Sequence, residues 1–248
     1  MNAPAWLTLK PIAHRGLHNP ALAIVENTGS AALAAVEKGF AMECDVQLSR
    51  DGEAMVFHDS SLDRLMRTTG PLALRDAREL TTLRYAQSDQ TIITLGMLLA
   101  TIAGRVPLVC EIKSDFDGDM RLANRTLEVV KAQSGPVALK SFDPAIVVHL
   151  RAQGASMPLG MIAEAQYSHP TWDPLSPALK QRLAQFLHYS ETRPDFLSYH
   201  VNDLPHAVPF LCRKGLGMPV MAWTVRTPEQ RALASKWADQ IVFEGLVP

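Results

Sequence analysis

The residues of this sequence best suited to chemistry are gathered in a few short stretches: His14-Arg15-Gly16, Glu26-Asn27, Glu43-Cys44-Asp45, His58-Asp59 and, further on, Glu111-Ile112-Lys113. Each stretch ends, or directly follows, a short apolar run. Functional groups presented at the carboxyl ends of strands give that pattern in a barrel or an open α/β sheet. Glu43 and Asp45 stand two residues apart on a predicted strand, so both project from one face, and Glu111 with Lys113 repeats the arrangement. Two orientations are open. Facing outward, the acids would pair with helix lysines or arginines. Facing inward, they would each cost several kcal/mol unless a cation compensates. Cys44, Cys110 and Ile112 are the apolar alternates of these acids, which favours acids inward and cysteines packed against helices. A hard divalent cation takes carboxylate oxygens and water, and either Mg²⁺ or Ca²⁺ suits Glu43, Asp45 and Glu111.

His14 and His58 each close an apolar run and each precede a charged residue. With oxygen ligands already supplied, the two are better cast as general acid and base, in either order, than as metal ligands. Arg15 and Lys113 add fixed positive charge. Two cations and a metal facing a pair of imidazoles make a receptor for an anion whose charge rises in the transition state, and a phosphoryl group is the natural candidate. Trp223, in Met-Ala-Trp-Thr-Val, ends a predicted strand and reads equally as a substrate-pocket floor or a core residue. Ser141, Phe142, Glu164 and His200 follow later strands and are expected at the mouth. His18, His149, His169, His188 and His206 lack acidic or strand-end context and read as surface residues. Gly-rich phosphate loops, serine nucleophile elbows and CxxC pairs are absent from the sequence.

The elements that must position these groups alternate along the whole chain. Strands are predicted near 11–14, 41–47, 107–113, 137–140, 158–162, 196–199, 218–224 and 240–243. Amphipathic helices are predicted over 28–38, 94–104, 120–133, 144–153, 177–189, 205–214 and 228–236, from apolar residues at three- and four-residue spacing. Thr28 and Asp143-Pro144 read as helix starts; Gly39, Gly154 and Gly215 read as stops. Eight strands alternating with helices over about 250 residues is the pattern of a TIM (β/α)8 barrel. An extra strand at 54–58 is expected to pair with the second strand across Arg50-Asp51-Gly52. Residues 60–92 then read as a polar, irregular insertion, so the expectation is one domain over 1–248 with a small insertion after the second strand.

Composition bounds the partners. With 24 basic and 25 acidic residues the formal net charge is −1, which offers no basic field for nucleic acid. Three cysteines in 248 residues argue against a disulfide framework and fit a reducing compartment. Residues 1–10 hold no apolar segment of a targeting signal, and no run approaches the roughly 18 apolar residues of a membrane span. The expectation is a soluble cytoplasmic protein without stable membrane insertion, in an oligomeric state the sequence leaves open.

Taken in order, His14-Arg15-Gly16, Glu26-Asn27, Glu43-x-Asp45, His58-Asp59 with Leu62-x-Arg64, Glu111-Ile112-Lys113, Ser141-Phe142-Asp143 and Trp223-Thr224-Val225 resemble the glycerophosphodiester phosphodiesterase family. Each motif is short, but the series in one order, covering about 12–225, is specific. The resemblance implies a TIM barrel that hydrolyses small glycerophosphodiesters to glycerol 3-phosphate and an alcohol. It implies Glu43, Asp45 and Glu111 as ligands of a divalent metal, with Glu26 as an additional candidate. It also implies His14 and His58 as the acid–base pair, Arg15 and Lys113 as phosphate contacts, and Asn27 as support for metal or substrate. Two departures stand out: the stretched run from Leu62 to Gly70, and Glu244 where many members carry Thr-Asp or Thr-Asn. Both are expected at the pocket rim, where they would bear on the alcohol. Trp223 and Trp172 would suit a choline head group. The rival readings are a lysophospholipase D-type barrel, which should show an amphipathic rim, and a non-catalytic anion-binding barrel, which would need the cations but neither histidine.

Overall fold

The computed structural model describes residues 3–248; Met1 and Asn2, part of the stretch read for targeting, lie outside the described residues. Among the described residues ten strands form: β1 Ile12–Ala13, β2 Ala41–Leu48, β3 Ala54–Val56, β4 Ile93–Thr94, β5 Leu108–Ile112, β6 Val137–Ser141, β7 Leu159–Ala163, β8 Phe196–His200, β9 Val220–Val225 and β10 Gln240–Phe243. All but β3 and β4 pair in parallel around a ring, in the order β1-β2-β5-β6-β7-β8-β9-β10. The two residues of β1 close it, because Ile12 is in register with both Ala41 of β2 and Val242 of β10. The molecule is a TIM barrel.

Helices on the outside follow the sequence signals closely. The helix Gly29–Lys38 starts under Thr28, whose hydroxyl accepts from the Ala31 N–H, and it stops at Gly39 in left-handed conformation. The helix Pro228–Trp237 carries a capping box between Thr227 and Gln230. The predicted helix 177–189 is interrupted. It ends at Ala184, Phe186 takes φ 57°, and a separate short helix covers Tyr189–Thr192. Phe186 is buried, so its side chain is drawn into the core at the expense of helical continuity.

Strand alternation assigns the two faces. Cys44 and Cys110 lie opposite each other in register, fully buried, within the core shared with the surrounding helices. Their neighbours Glu43, Asp45 and Glu111 therefore point into the barrel. The floor of the interior is apolar: Ile12, Ala41, Val109, Ala138, Phe196, Met221 and Val242, with Leu7 from the helix Trp6–Leu9 plugging it from below. One step nearer the carboxyl ends the filling becomes polar.

The stretch 60–92 is not the polar excursion its sequence suggested. Leu62, Met66, Leu72, Leu80, Tyr85 and Ile92 pack with Met55 and Phe57 into a small core of their own, tied by isolated bridges such as Met66–Tyr85. Its apolar residues follow neither helical nor strand spacing, so pattern reading missed them. The hairpin that leads into it is as expected, with Val46 opposite Val56 and Leu48 opposite Ala54.

Candidate active site

The loop after β1 opens the site. Arg15 and Gly16 both adopt left-handed backbone, φ 56° and 78°. A β-carbon on Gly16 would lie 2.8 Å from that of Ala31, so only glycine lets the loop rest on the helix Gly29–Lys38. For Arg15 such a φ costs on the order of 1–3 kcal/mol. Its N–H donates to Glu43 Oε2 at 3.1 Å, and its carbonyl accepts from the N–H of Asn27, itself at φ 58°. The strained turn thus locks Arg15, Asn27 and Glu43 together.

Asn27 spends its amide on Asp45: Nδ2 donates to Oδ2 at 2.9 Å, and Oδ1 accepts from the Asp45 N–H at 3.3 Å. Only 1% of its surface is exposed, and these two bonds make it a group that orients an acid of the cluster.

Glu43, Asp45 and Glu111 each offer an oxygen within 4.8 Å of the others, and all three are buried. Lys113 Nζ lies 2.8 Å from Asp45 Oδ1 and 2.5 Å from Glu111 Oε1. Lys140, which sequence reading passed over, reaches in from β6 to 3.0 Å from Glu43 Oε1 and 3.8 Å from Glu111 Oε2. A single lysine in the apolar run Val137-Ala138-Leu139-Lys140, in register with Glu111, was the available signal. Burial alone would raise the carboxyls of Asp45 and Glu111. The charge of Lys113 overrides it, with His58 and Arg15 adding to the effect at Asp45, which is held well below the usual carboxylate range. Burial would lower both lysines, but the facing carboxylates raise them.

Three carboxylates against Arg15, Lys113 and Lys140 leave this layer formally neutral. Even so, Glu43 Oε1 and Asp45 Oδ1 are buried and accept no well-aligned hydrogen bond, although ammonium groups lie close. Converging, ionised, under-coordinated oxygens are the donor set of a hard divalent cation. Glu26 stands apart from that set. Its Oε1 accepts from Arg15 Nη1 and Arg64 Nη2, both at 2.7 Å, and its Oε2 from Arg64 Nη1 at 3.0 Å. The added metal-ligand candidate is therefore a salt-bridge hub.

Both histidines are backed by carboxylates. His14 Nδ1 lies 2.7 Å from Glu244 Oε2, and His58 Nδ1 lies 2.7 Å from Asp59 Oδ1. Burial would raise Glu244, but the hydrogen bond from His14 and the charges of His14 and Arg226 bring it to about 2. Against the same effect of burial, His58 and Arg64 depress Asp59. Ionised carboxylates only accept, so each Nδ1 carries the hydrogen and each Nε2 is left with a lone pair. His14 Nε2 sits 4.0 Å from Glu43 Oε2. Arg64 completes a chain by donating to Asp59 at 2.6 Å as well as to Glu26. Glu244, a departure expected at the rim, and Arg64, a motif residue at the start of the stretched run, thus reach the histidine backing. Glu244 directly follows the apolar strand β10, and that position was its signal.

The far side of the mouth is aromatic. Phe142 lies 4.8 Å from Trp172 and 5.6 Å from Trp223, centroid to centroid, and Tyr167 lies 5.1 Å from Trp172. Trp223 is half-buried and anchored by its indole N–H donating to the Ser198 carbonyl at 3.0 Å. Glu164 closes this side, its carboxyl pushed up to about 7 by burial. Ser141 is not at the mouth; it is buried and donates to the Ile112 carbonyl at 2.8 Å. Of the histidines read as surface, His188 is 1% exposed and driven down to about 4 by burial. His206 is half-buried, its Nδ1 accepting from Tyr199 Oη at 2.9 Å, and His18 is half-buried with Nε2 3.9 Å from Glu244 Oε1.

A parallel barrel that brings acids, lysines and two carboxylate-backed histidines to the carboxyl ends of its strands has the make-up of a hydrolase for phosphoric diesters. The sequence bears this out: residues 14–246 match the model of the glycerophosphoryl diester phosphodiesterase family, and the chain belongs to that family and is an enzyme of its class. Solved structures share the fold. A phosphodiesterase from Oleispira antarctica, in complex with the product sn-glycerol-3-phosphate, is 22% identical over 96% of this chain and 94% of its own, with a TM-score of 0.77. A glycerophosphodiester phosphodiesterase from Thermotoga maritima is 23% identical over 94% and 92%, at 0.70, and a putative one from Galdieria sulphuraria is 18% identical over 94% and 93%, at 0.75. No curated protein sequence is significantly similar to the chain.

Proposed function

We propose that this single-domain protein hydrolyses small glycerophosphodiesters to glycerol 3-phosphate and an alcohol in the cytoplasm, with a divalent metal and with histidine acid–base catalysis. The observation that carries the reading is the convergence of Glu43, Asp45 and Glu111 between two histidines that each have a carboxylate on Nδ1. Those three acids would hold Mg²⁺ or Ca²⁺, which when bound supplies Lewis-acid stabilisation of a phosphoryl oxygen. Arg15 and Lys113 hold the remaining phosphate charge at the rim, and Lys140 keeps Glu43 and Glu111 aimed from below. One Nε2 takes the proton of the nucleophile, either water or the neighbouring glycerol hydroxyl, and the other Nε2 gives a proton to the departing alkoxide. Glu244 and Asp59 fix the tautomer and stabilise each imidazolium as it forms.

The test couples glycerol 3-phosphate release to a dehydrogenase, with Mg²⁺, with Ca²⁺ and with chelator. Turnover is expected to vanish with chelator and return with one metal. His14→Ala and His58→Ala are each expected to lower kcat by roughly 10²–10⁴ while leaving the fold intact. Full activity in chelator would remove the metal from the proposal, and wild-type turnover by either variant would remove that histidine.

A further inference from the structure

The mouth of the barrel is electrostatically divided. On the side of β1, β2 and β5 stand Arg15, Arg64 and Lys113. On the opposite side the loops 114–119, 164–176 and 200–206 contain six acidic residues and not one lysine or arginine. Into this half project Phe142, Trp172 and Trp223, half-buried, with the Phe142 ring centroid 4.8 Å from that of Trp172 and 5.6 Å from that of Trp223; Arg226, which follows β9, is paired with Glu244. Glu164 continues the inward alternation of β7, with its carboxyl beside Trp172.

A phosphate receptor explains none of this, since an acid and aromatic π-faces repel an anion. They do attract an organic cation: aromatic faces hold a substituted ammonium by its diffuse charge, and a buried carboxyl behind them supplies the counter-charge when it gives up its proton, a step that the bound cation favours. Phe142 directly follows β6, the strand neighbouring that of Glu111, and so stands at the same end of the barrel as the acids. We propose that Phe142, Trp172 and Trp223, backed by Glu164, form a subsite for an alkylammonium group on the departing alcohol, with quaternary ammonium preferred over primary. The subsite rests on the phosphodiesterase reading for its place in the reaction, but its ligand chemistry stands on its own geometry. The preference follows from solvation: a primary ammonium keeps strong hydrogen bonds to water that aromatic faces do not replace, whereas a quaternary one has none to lose.

Two measurements test it. In the first, kcat/KM is compared for glycerophosphocholine and for its uncharged carbon isostere, the 3,3-dimethylbutyl diester, which has the same shape without the charge. The choline diester is expected to be favoured about tenfold in the wild type, and that ratio is expected to fall towards one in Glu164→Gln and Trp172→Leu. The second needs no turnover: tetramethylammonium is titrated against tryptophan fluorescence, with saturable quenching expected in the wild type and weakened in Glu164→Gln. Equal rates for the two diesters, or no saturable tetramethylammonium binding, would overturn the subsite. Tetramethylammonium binding without turnover of any diester would instead sink the phosphodiesterase reading and leave the subsite standing.

Discussion

Glu244 illustrates how one residue can change meaning once its neighbours are known. In sequence it is an acid directly after an apolar run, and the expectation places it at the rim. In the structure its carboxylate accepts from His14 Nδ1 at 2.7 Å, with Arg226 Nη2 on the same oxygen at 2.8 Å. The carboxylate holds one imidazole tautomer and would stabilise its protonated form. Replacing it with an amide removes the charge and allows a donor to face Nδ1, which invites the opposite tautomer. Glu244→Gln is therefore expected to lower kcat by roughly 10²–10⁴, with KM little changed and the circular dichroism spectrum native. A variant with full kcat would show that His14 needs no such partner, and would leave Glu244 as a surface ion pair with Arg226.

At the scale of elements, most of the architecture is legible because the barrel imposes simple rules. All eight barrel strands were readable as short apolar runs, and the inward acids followed from the apolar character of Cys44, Cys110 and Ile112. What escaped reading depends on contacts distant in sequence. Lys140 looks like a stray charge until β6 is set beside β5, and the small core around Leu72, Leu80 and Tyr85 has no period to announce it. Gly160 belongs with these. It reads as an unremarkable strand glycine, yet a β-carbon there would lie 2.3 Å from the ring of Phe196, which is fully buried in the barrel floor. The missing side chain on β7 is the space that the Phe196 ring on β8 fills. Gly160→Ala is expected to destabilise the protein by about 1–3 kcal/mol, as overpacking of a close-packed interior does. Chemical denaturation would detect it, and an unchanged midpoint would mean that the floor has room the packing does not suggest.

Across the whole molecule, the divided mouth gives stability two opposite dependences on pH. Glu244 on the histidine side has its pKa lowered from 4.5 to about 2, so its contribution is complete above 4.5 and is lost as pH falls towards 2. Asp59 and Glu26 are shifted in the same direction and add to that acid limb. Glu164 on the aromatic side is shifted the other way, from 4.5 to about 7, chiefly by burial. Its folded form holds a proton that the unfolded chain has already released, so its contribution is complete below 4.5 and is lost as pH rises through 7. In chelator, where no metal competes for the acids, the melting temperature is expected to fall below about pH 4.5 and to fall less steeply in Glu244→Gln. Between about pH 4.5 and 7 the wild type is expected to lose stability relative to Glu164→Gln, whose amide has no proton to give up. The effect is small because Glu164 is only partly buried, so the comparison is the difference between the two melting curves across pH. Parallel curves throughout would mean that the carboxyl of Glu164 is solvated on the aromatic wall rather than desolvated by it.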